Sequence, residues 1–388
     1  MHKTRCVGAA VVIAVLALTA CSSSDNNATS GSNVAANASP NGSSGSASGN
    51  AGVAEAIAEA KAAETFPTQI PVTEALPSKP PTGKTVVFLQ CEEQQCGHEG
   101  DGIDAAAKAI GWTAKTLNFK AADPATLVAA LKTALQYHPV GVFFSGVPQA
   151  VWGSVQQQYA DAGSFITENF DSKTPSGPGV LPGRGYANDS THIGELLADM
   201  QIQDSNGQPA NSLLVNVKDY PVFGPTAQTY HSTIAAACPS CEITDVNVTI
   251  QDLQAGKLDA AVIAAAKRAS NPKYIVSVNG GFIGQLPQDL QAAGLGGKFK
   301  IISGQGGAQD QANVKAGKQL VTVSNALVMG GWQDVDMAIR TVMHLPIPQG
   351  DHIVPISLLT KDNVGTPADS ADRPTDFAEQ FKKIWQVG

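Results

Sequence analysis

The chain has 388 residues, of which 43% are hydrophobic, 15% charged and 6% aromatic, and its formal net charge is −8. A chain of this length has enough apolar residues for roughly two or three domains with a real core, which excludes disorder throughout. The acidic balance argues against a nucleic-acid partner, because binding phosphates requires a basic face.

The N-terminus has the pattern of an export signal. Basic residues at positions 3 and 5 precede an apolar run of 14 residues, 7–20, which is shorter than the about 20 residues that span a bilayer. The run ends in Leu18-Thr19-Ala20-Cys21, which resembles the lipobox of bacterial lipoproteins. The resemblance implies a signal peptide of residues 1–20, a lipid anchor on Cys21, and a lipoprotein of the cell membrane that faces the extracytoplasmic space. An ordinary signal peptide with an accidental cysteine is the alternative.

Residues 21–82 are predicted to hold the folded body away from the membrane. Of residues 22–50, 25 of 29 are Ser, Asn, Gly or Ala, a composition that cannot repay the entropy of ordering and predicts a flexible tether. Residues 53–63 contain strong helix formers and predict a short helix. Residues 66–81 contain five prolines and predict an extended strap.

From residue 85 onward, short apolar runs alternate with segments of helical periodicity. The first set comprises predicted strands at 85–90, 113–119, 141–144 and 164–167, and helices at 101–110, 124–137 (with Asp123 as N-cap) and 149–162. The second set comprises helices at 193–203, 226–237, 258–269 and 287–293, and strands at 212–217, 244–249, 274–278 and 300–302. The predicted fold class is α/β, with two doubly wound parallel-sheet lobes and a crevice at the carboxyl ends of their strands.

Beyond residue 21 the chain has four cysteines, in two close pairs. In an exported protein, Cys91 with Cys96 and Cys238 with Cys241 are predicted to form local disulfides. Zinc is the alternative, but the five-residue step between Cys91 and Cys96 is not the usual ligand spacing. The second pair lies between a predicted helix and strand, where a disulfide would staple the loop.

Several segments together resemble the ribose-binding-protein class of periplasmic solute-binding proteins, the type I class of sugar ABC transporter substrate-binding proteins. They are KTVVFLQ at 84–90, GIDAAAKAIGW at 102–112, GVFFSG at 141–146 and ISGQG at 302–306, and the resemblance covers about residues 83–363. It implies a hinge of three crossing segments, near residues 186–188, 321–324 and 354–357. It also implies that a helix at 331–344 returns to the first lobe.

The resemblance also implies how the chain is divided and what it does. Residues 83–186 and 325–352 would form the N-terminal lobe, residues 187–324 and 353–363 the C-terminal lobe, and residues 364–388 a C-terminal tail. A monomeric receptor of this class closes on a small molecule and delivers it to the permease subunits of an ABC transporter; a receptor that feeds a sensor kinase or chemoreceptor is the alternative. An exported enzyme is the least supported function, since HExxH, P-loop and GxSxG patterns are missing from the sequence. No enzymatic activity, metal or cofactor is expected.

Strand ends supply the first candidate ligand residues. Asn169 and Phe170 stand where sugar receptors of this class carry an Asp–Arg pair, and Gln305 stands where they carry an Asp. Ser145, Asn279 and Asn325 complete a set without charged anchors. The pocket is therefore predicted to be lined by amides and aromatic rings and to bind a neutral solute, sugar-like or a less polar ring compound.

Other candidates come from loops and aromatic positions, each with a second interpretation. His98 either contacts the ligand or caps the following helix, and the acids at 92 and 93 either bind a cation or are solvated. The rings at 223, 282 and 332 either contact the ligand or pack in the core, whereas Tyr220 is predicted to pack. The candidate ligand-binding residues are Gln95, His98, Ser145, Asn169, Phe170, Phe223, Asn279, Phe282, Gln305, Asn325 and Trp332.

Overall fold

The computed structural model describes residues 44–367 and 372–388. The predicted signal peptide, the predicted lipid anchor at Cys21 and predicted tether residues 22–43 lie outside the described residues. The strands are β1 Thr85–Gln90, β2 Thr113–Asn118, β3 Gly141–Ser145, β4 Phe165–Asn169, β5 Ser212–Val217, β6 Ile243–Val248, β7 Tyr274–Ser277, β8 Lys300–Ser303, β9 Val321–Asn325 and β10 Ile356–Thr360. The helices are α1 Ser44–Ala63, α2 Gln94–Ala109, α3 Pro124–Ala134, α4 Gln149–Trp152, α5 Gln156–Asp161, α6 Ala187–Ser205, α7 Phe223–Ala237, α8 Ile250–Gln254, α9 Leu258–Arg268, α10 Leu286–Ala292, α11 Ala308–Lys315, α12 Leu327–Val342 and α13 Phe377–Ile384.

The first lobe contains a four-stranded parallel sheet in the order β2-β1-β3-β4. Its central strand β1 is buried on both faces, because helices cover each side of the sheet. Val86 and Phe88 face one apolar cluster, whereas Val87 and Leu89 face another. This alternation follows the period of two in a strand and explains why the sequence of β1 is continuously apolar.

The second lobe contains a six-stranded sheet in the order β10-β9-β8-β7-β5-β6. Its first strand in this order, β10, runs antiparallel to β9, with Ile356 opposite Asn325. The other strands pair in parallel. Strand β10 has the opposite direction because the chain enters it from the first lobe, so the predicted architecture of two parallel-sheet lobes is confirmed with one antiparallel edge strand.

From β1 onward, the described elements change lobe four times: between β4 and α6, between β9 and α12, between α12 and β10, and between β10 and α13. Helix α12 packs against α2 of the first lobe, as predicted for the returning helix. Glycines make this close approach possible: a Cβ on Gly102 would lie 2.1 Å from the carbonyl oxygen of Val328, and one on Gly331 would lie 2.4 Å from the backbone nitrogen of Ile103. A larger residue at either position would separate the two helices.

Both ends of the described chain are docked on the lobes. Helix α1 packs against α6 and α7 of the second lobe, where Ala56 and Ala60 are buried. The helix begins at Ser44, so residues 44–50, which the sequence predicts as part of the tether, are helical. Among the described residues, no helix is long and apolar enough to cross a membrane.

The two predicted disulfides are present, with S–S distances of 2.06 Å for Cys91–Cys96 and 2.04 Å for Cys238–Cys241. The second joins the end of α7 to the loop before β6, as expected for a staple. The first lies at the start of α2, which begins at Gln94 rather than at the predicted residue 101. Glycines lower the helix propensity of this segment, but packing against α12 overrides that preference.

Candidate functional site

A cavity of about 90 Å³ lies between the two lobes, beyond the carboxyl ends of the parallel strands. Residues after β3, β4, β7, β8 and β9 reach it, which is where ligands bind in open α/β sheets. Three predicted ligand residues, His98, Asn169 and Trp332, are not part of its lining. The predicted residues that line it are Gln95, Ser145, Phe170, Phe223, Asn279, Phe282, Gln305 and Asn325.

A buried ionic network lies at the first-lobe side of the cavity. The Arg184 guanidinium lies between two buried carboxylates, donating to Glu99 Oε1 at 2.8 Å and to Asp334 Oδ1 at 2.6 Å. Asn169 belongs to this network: its Nδ2 donates to Glu99 Oε1 at 2.8 Å, and its Oδ1 accepts from the backbone nitrogen of Arg184 at 3.0 Å. Asn169 is thus placed one layer behind the cavity, where it holds Glu99 in position.

Glu99 brings this network to the cavity surface. Its Oε2 accepts a hydrogen bond from Ser145 Oγ, and both residues line the cavity. Burial raises the pKa of Asp334 to about 7, against the attraction of Arg184, which lowers it. The sequence-based prediction missed Glu99, although it is one helical turn before the buried Ile103, and that spacing on α2 indicates an inward-facing carboxylate.

Phe170 is held in an unusual backbone conformation at the end of β4. Its φ is +58°, in the left-handed region, and its ring lies 5.7 Å from the guanidinium carbon of Arg184. Gly185 leaves room for that ring, since a Cβ there would lie 2.1 Å from Phe170 Cδ1. Gln305, also at a strand end in the cavity lining, has a φ of +46°. Strained non-glycine residues of this kind cluster at functional sites.

Three aromatic rings form the second-lobe wall of the cavity. Tyr220 is nearly parallel to Phe282, with ring centroids 6.1 Å apart and an angle of 14° between planes. Phe223 meets both rings edge-on, at 6.0 and 5.5 Å. The sequence predicts that Tyr220 packs; its ring does contact the two phenylalanines, and it also lines the cavity. We name these three residues the aromatic wall.

The segment between Cys91 and Cys96 connects the two lobes across the cavity opening. Tyr220 Oη donates to Glu93 Oε1 at 2.8 Å, Gln95 Nε2 donates to Asn279 Oδ1 at 2.9 Å, and Gln254 Nε2 donates to Glu92 Oε1 at 3.0 Å. Burial raises the pKa of Glu93, whereas the hydrogen bond from Tyr220 lowers it. We name residues 91–96 the disulfide loop.

The amides of the second lobe are bonded to each other. Asn279 Oδ1 also accepts from the backbone nitrogen of Gly281 at 2.8 Å, and Asn279 Nδ2 donates to Gln305 Oε1 at 3.1 Å. Asn325 is different: its side chain is 5% exposed, it lines the cavity, and neither its Oδ1 nor its Nδ2 has a hydrogen-bond partner. A buried amide without partners is costly, and a ligand in the cavity would supply them.

Two predicted ligand residues lie elsewhere. His98 is on the second turn of α2 and therefore does not cap that helix; its Nε2 is buried without a hydrogen-bond partner. Trp332 is in the core of the first lobe, where its indole stacks on Trp385 with ring centroids 5.2 Å apart. Helix α13, which contributes Phe381 to the same cluster, packs against the ring of Trp332.

No protein-family model matches the chain, and no curated protein sequence matches it. Solved structures do. A 5-methylthioribose transporter solute-binding protein from Thermotoga lettingae TMO, in complex with 5-methylthioribose, is 16% identical, with a TM-score of 0.64 over 80% of this chain and 99% of that chain. An ABC transporter solute-binding protein from Burkholderia graminis C4D1M, in complex with D-arabinose, is 16% identical, with a TM-score of 0.63 over 76% of this chain and 99% of that chain. An ABC sugar transporter subunit from Rhodobacter sphaeroides 2.4.1 is 18% identical, with a TM-score of 0.59 over 73% and 99%. The chain thus has the type I periplasmic-binding-protein fold.

Proposed function

We propose that this chain is an extracytoplasmic substrate-binding protein that captures a small neutral solute between its lobes and delivers it to an ABC importer. The observation that carries the proposal is Asn325, a buried amide with two unpartnered atoms in the cavity lining. Burying an amide without partners costs free energy, and a ligand that completes its hydrogen bonds would remove that cost. Similar solved structures are of sugar or solute transport proteins, and this chain shares their fold.

Closure would work through contacts that only the closed state makes. A ligand that touches Asn325 at the hinge, Ser145 on the first lobe and Phe282 on the second favours the arrangement in which all three surround it. The hydrogen bonds of the disulfide loop add to that arrangement from the protein itself. An importer subunit can then distinguish the occupied receptor by its shape.

The binding part of the proposal is tested with residues 44–388, by thermal denaturation in the presence of pentoses, hexoses and neutral ring compounds. A ligand at about 100 times its dissociation constant should add about 2.7 kcal/mol to the free energy of unfolding. The transport part is tested by uptake of the labelled ligand in cells with and without the protein. Unchanged uptake would refute the importer role, and product formed in a turnover assay would favour an enzyme.

The proposed location is the outer face of the cell membrane, with the lipid on Cys21 and residues 22–43 between the lipid and the described chain. A lipid thioether forms on the cysteine sulfur, so Cys21→Ala removes the anchor while leaving the folded lobes intact. We expect the variant to appear in the soluble extracytoplasmic fraction. Retention in the membrane fraction at the native level would contradict lipidation.

A further inference from the structure

The lining of the cavity is mainly apolar. The aromatic wall occupies its second-lobe side, and Phe119, Phe170, Val147 and Leu327 contribute to the remainder. No lysine, arginine or histidine is among the described residues that line it. An anionic ligand would therefore have no cation to pair with, and the two carboxylates of the lining, Glu93 and Glu99, already accept hydrogen bonds within the protein. Most of a ligand's surface would meet carbon atoms.

Two polar side chains of the cavity lining, Glu99 and Asn279, already have internal partners. The Glu99 carboxylate accepts from Arg184 and Asn169 through one oxygen and from Ser145 through the other. Asn279 has both amide atoms bonded within the protein. A ligand with hydroxyl groups on every side of its ring would have to compete with these bonds or bury hydroxyls without partners, and each unpartnered hydroxyl weakens binding roughly tenfold or more.

Asn325 offers one donor and one acceptor side by side. Its Nδ2 and Oδ1 belong to one planar carboxamide, both atoms are buried, and neither is bonded. The complementary group is another edge with a C=O acceptor and an adjacent N–H donor, which forms two hydrogen bonds with a side-chain amide. Aromatic faces suit the remainder of such a molecule, since flat rings stack on or meet other rings edge-on.

We propose that the ligand is a compact, uncharged ring compound with a single carboxamide-like or lactam-like edge that pairs with Asn325, and that polyhydroxylated sugars are poor ligands. This inference rests on the proposed receptor function and narrows its substrate class. The ring would lie against Phe223 and Phe282, and the polar edge would point towards the hinge strand β9 that carries Asn325.

The test compares chemically matched probes by isothermal titration calorimetry on residues 44–388. Benzamide presents a ring and a donor–acceptor edge, acetophenone presents the ring with an acceptor alone, and D-ribose and D-arabinose present hydroxyls around a ring. We expect benzamide to bind at least tenfold more tightly than acetophenone or either sugar. Tighter binding of a sugar than of benzamide would overturn the ligand class and leave the receptor function standing.

Variants separate the Asn325 contact from general effects. Asn325→Asp keeps the side-chain shape but removes the donor, and Asn325→Ser keeps a polar group in case the first variant does not fold. The matched control is Asn247→Asp, the same change at an exposed position on β6. Benzamide affinity should fall at least tenfold in an Asn325 variant and stay unchanged in the control. Equal affinity in all of these proteins would overturn the pairing. Failure of benzamide to bind, while a pentose or hexose of the thermal-denaturation panel does bind, would overturn the ligand class alone. Failure of every solute of that panel to bind would overturn the receptor function.

Discussion

The disulfide loop is predicted to act as a latch that favours lobe closure. Its residues Glu92, Glu93 and Gln95 all lie between the two cysteines, and each bonds to the second lobe. The crosslink holds this short segment in one conformation, so the three side chains need less ordering when the lobes meet. Removing the crosslink by Cys91→Ser with Cys96→Ser should therefore shift the protein towards an open state.

The magnitude follows from the two partly buried hydrogen bonds of the loop, from Tyr220 to Glu93 and from Gln95 to Asn279. At roughly 0.5–1.5 kcal/mol net for each bond, losing both costs about 1–3 kcal/mol of closed-state stability. The ratio of closed to open protein would fall by roughly 5- to 150-fold. The third bond, to Glu92, is exposed and adds little.

The second disulfide provides a matched control. The two disulfides close loops of similar length, with sequence separations of three for Cys238–Cys241 and five for Cys91–Cys96. The loss of chain entropy in the unfolded state therefore gives each crosslink about 2 kcal/mol of stability against unfolding. Both double variants should lose that amount in urea denaturation. Only the variant at 91 and 96 should show a larger radius of gyration in small-angle X-ray scattering of the ligand-free protein.

The radii of gyration of the two double variants and the native protein decide between the latch and a general loss of stability. Equal radii of gyration for the two double variants and the native protein would refute the latch. A larger radius for both variants alike would show that loss of stability, rather than the loop, opens the cleft. Tyr220→Phe, which keeps the ring and both disulfides, should move the radius in the same direction as loss of the first disulfide, by a smaller amount.

Three further predictions concern buried groups. Trp332→Ala should reduce the free energy of unfolding by about 3–5 kcal/mol, because it empties part of a core, and a loss below about 1 kcal/mol in urea denaturation would contradict that placement. Arg184→Met should cost about 3–5 kcal/mol, since it leaves two buried carboxylates without their cation; a near-neutral change in the same assay would show that they are not charged. Burial and the nearby carboxylates of Glu59, Glu195 and Glu55, in that order, raise the pKa of Asp199 from 3.8 to about 8. Between these two pKa values the folded state holds a proton that the unfolded state releases. The contribution of Asp199 to stability is therefore full below about pH 4 and is lost as the pH rises through 8. Asp199→Asn should flatten this pH dependence in melting curves between pH 4 and 9, and an unchanged profile would count against the raised pKa.

Strand ends were the most predictable part of the site. Ser145, Asn279 and Gln305 each follow an apolar run, and the topology of parallel sheets brings such positions to one edge. Their identity as amides and hydroxyls can be read directly from the sequence. The hydrogen bond from Asn279 to Gln305 could not be predicted, because side-chain pairing depends on the relative placement of neighbouring strands.

Positions on helices and loops were harder to assign. Trp332 is on α12, and its indole is covered by α13, a segment more than 40 residues later in the chain, so local periodicity could not reveal the covering ring of Trp385. Tyr220 lies in a loop without periodicity, where packing and lining are both compatible with the sequence. Glu99 had a usable signal in its spacing from Ile103, but its partner Arg184 lies in an irregular crossing segment.

The N-terminal segment shows most clearly why composition cannot decide order. Residues 44–63 form a helix on the second lobe, whereas Ile70, Val72 and Leu76 of the Pro-rich strap are buried in the first lobe. The described chain therefore passes between the lobes once before β1, in addition to the four crossings that follow. Alanine side chains contribute little apolar area alone. On α1, however, Ala56 and Ala60 allow close approach to α6 and are buried in the second-lobe core, and this packing stabilises the helix. The ordering of this segment depends on surfaces formed by residues more than 100 positions later, which is information that no local window of the sequence contains.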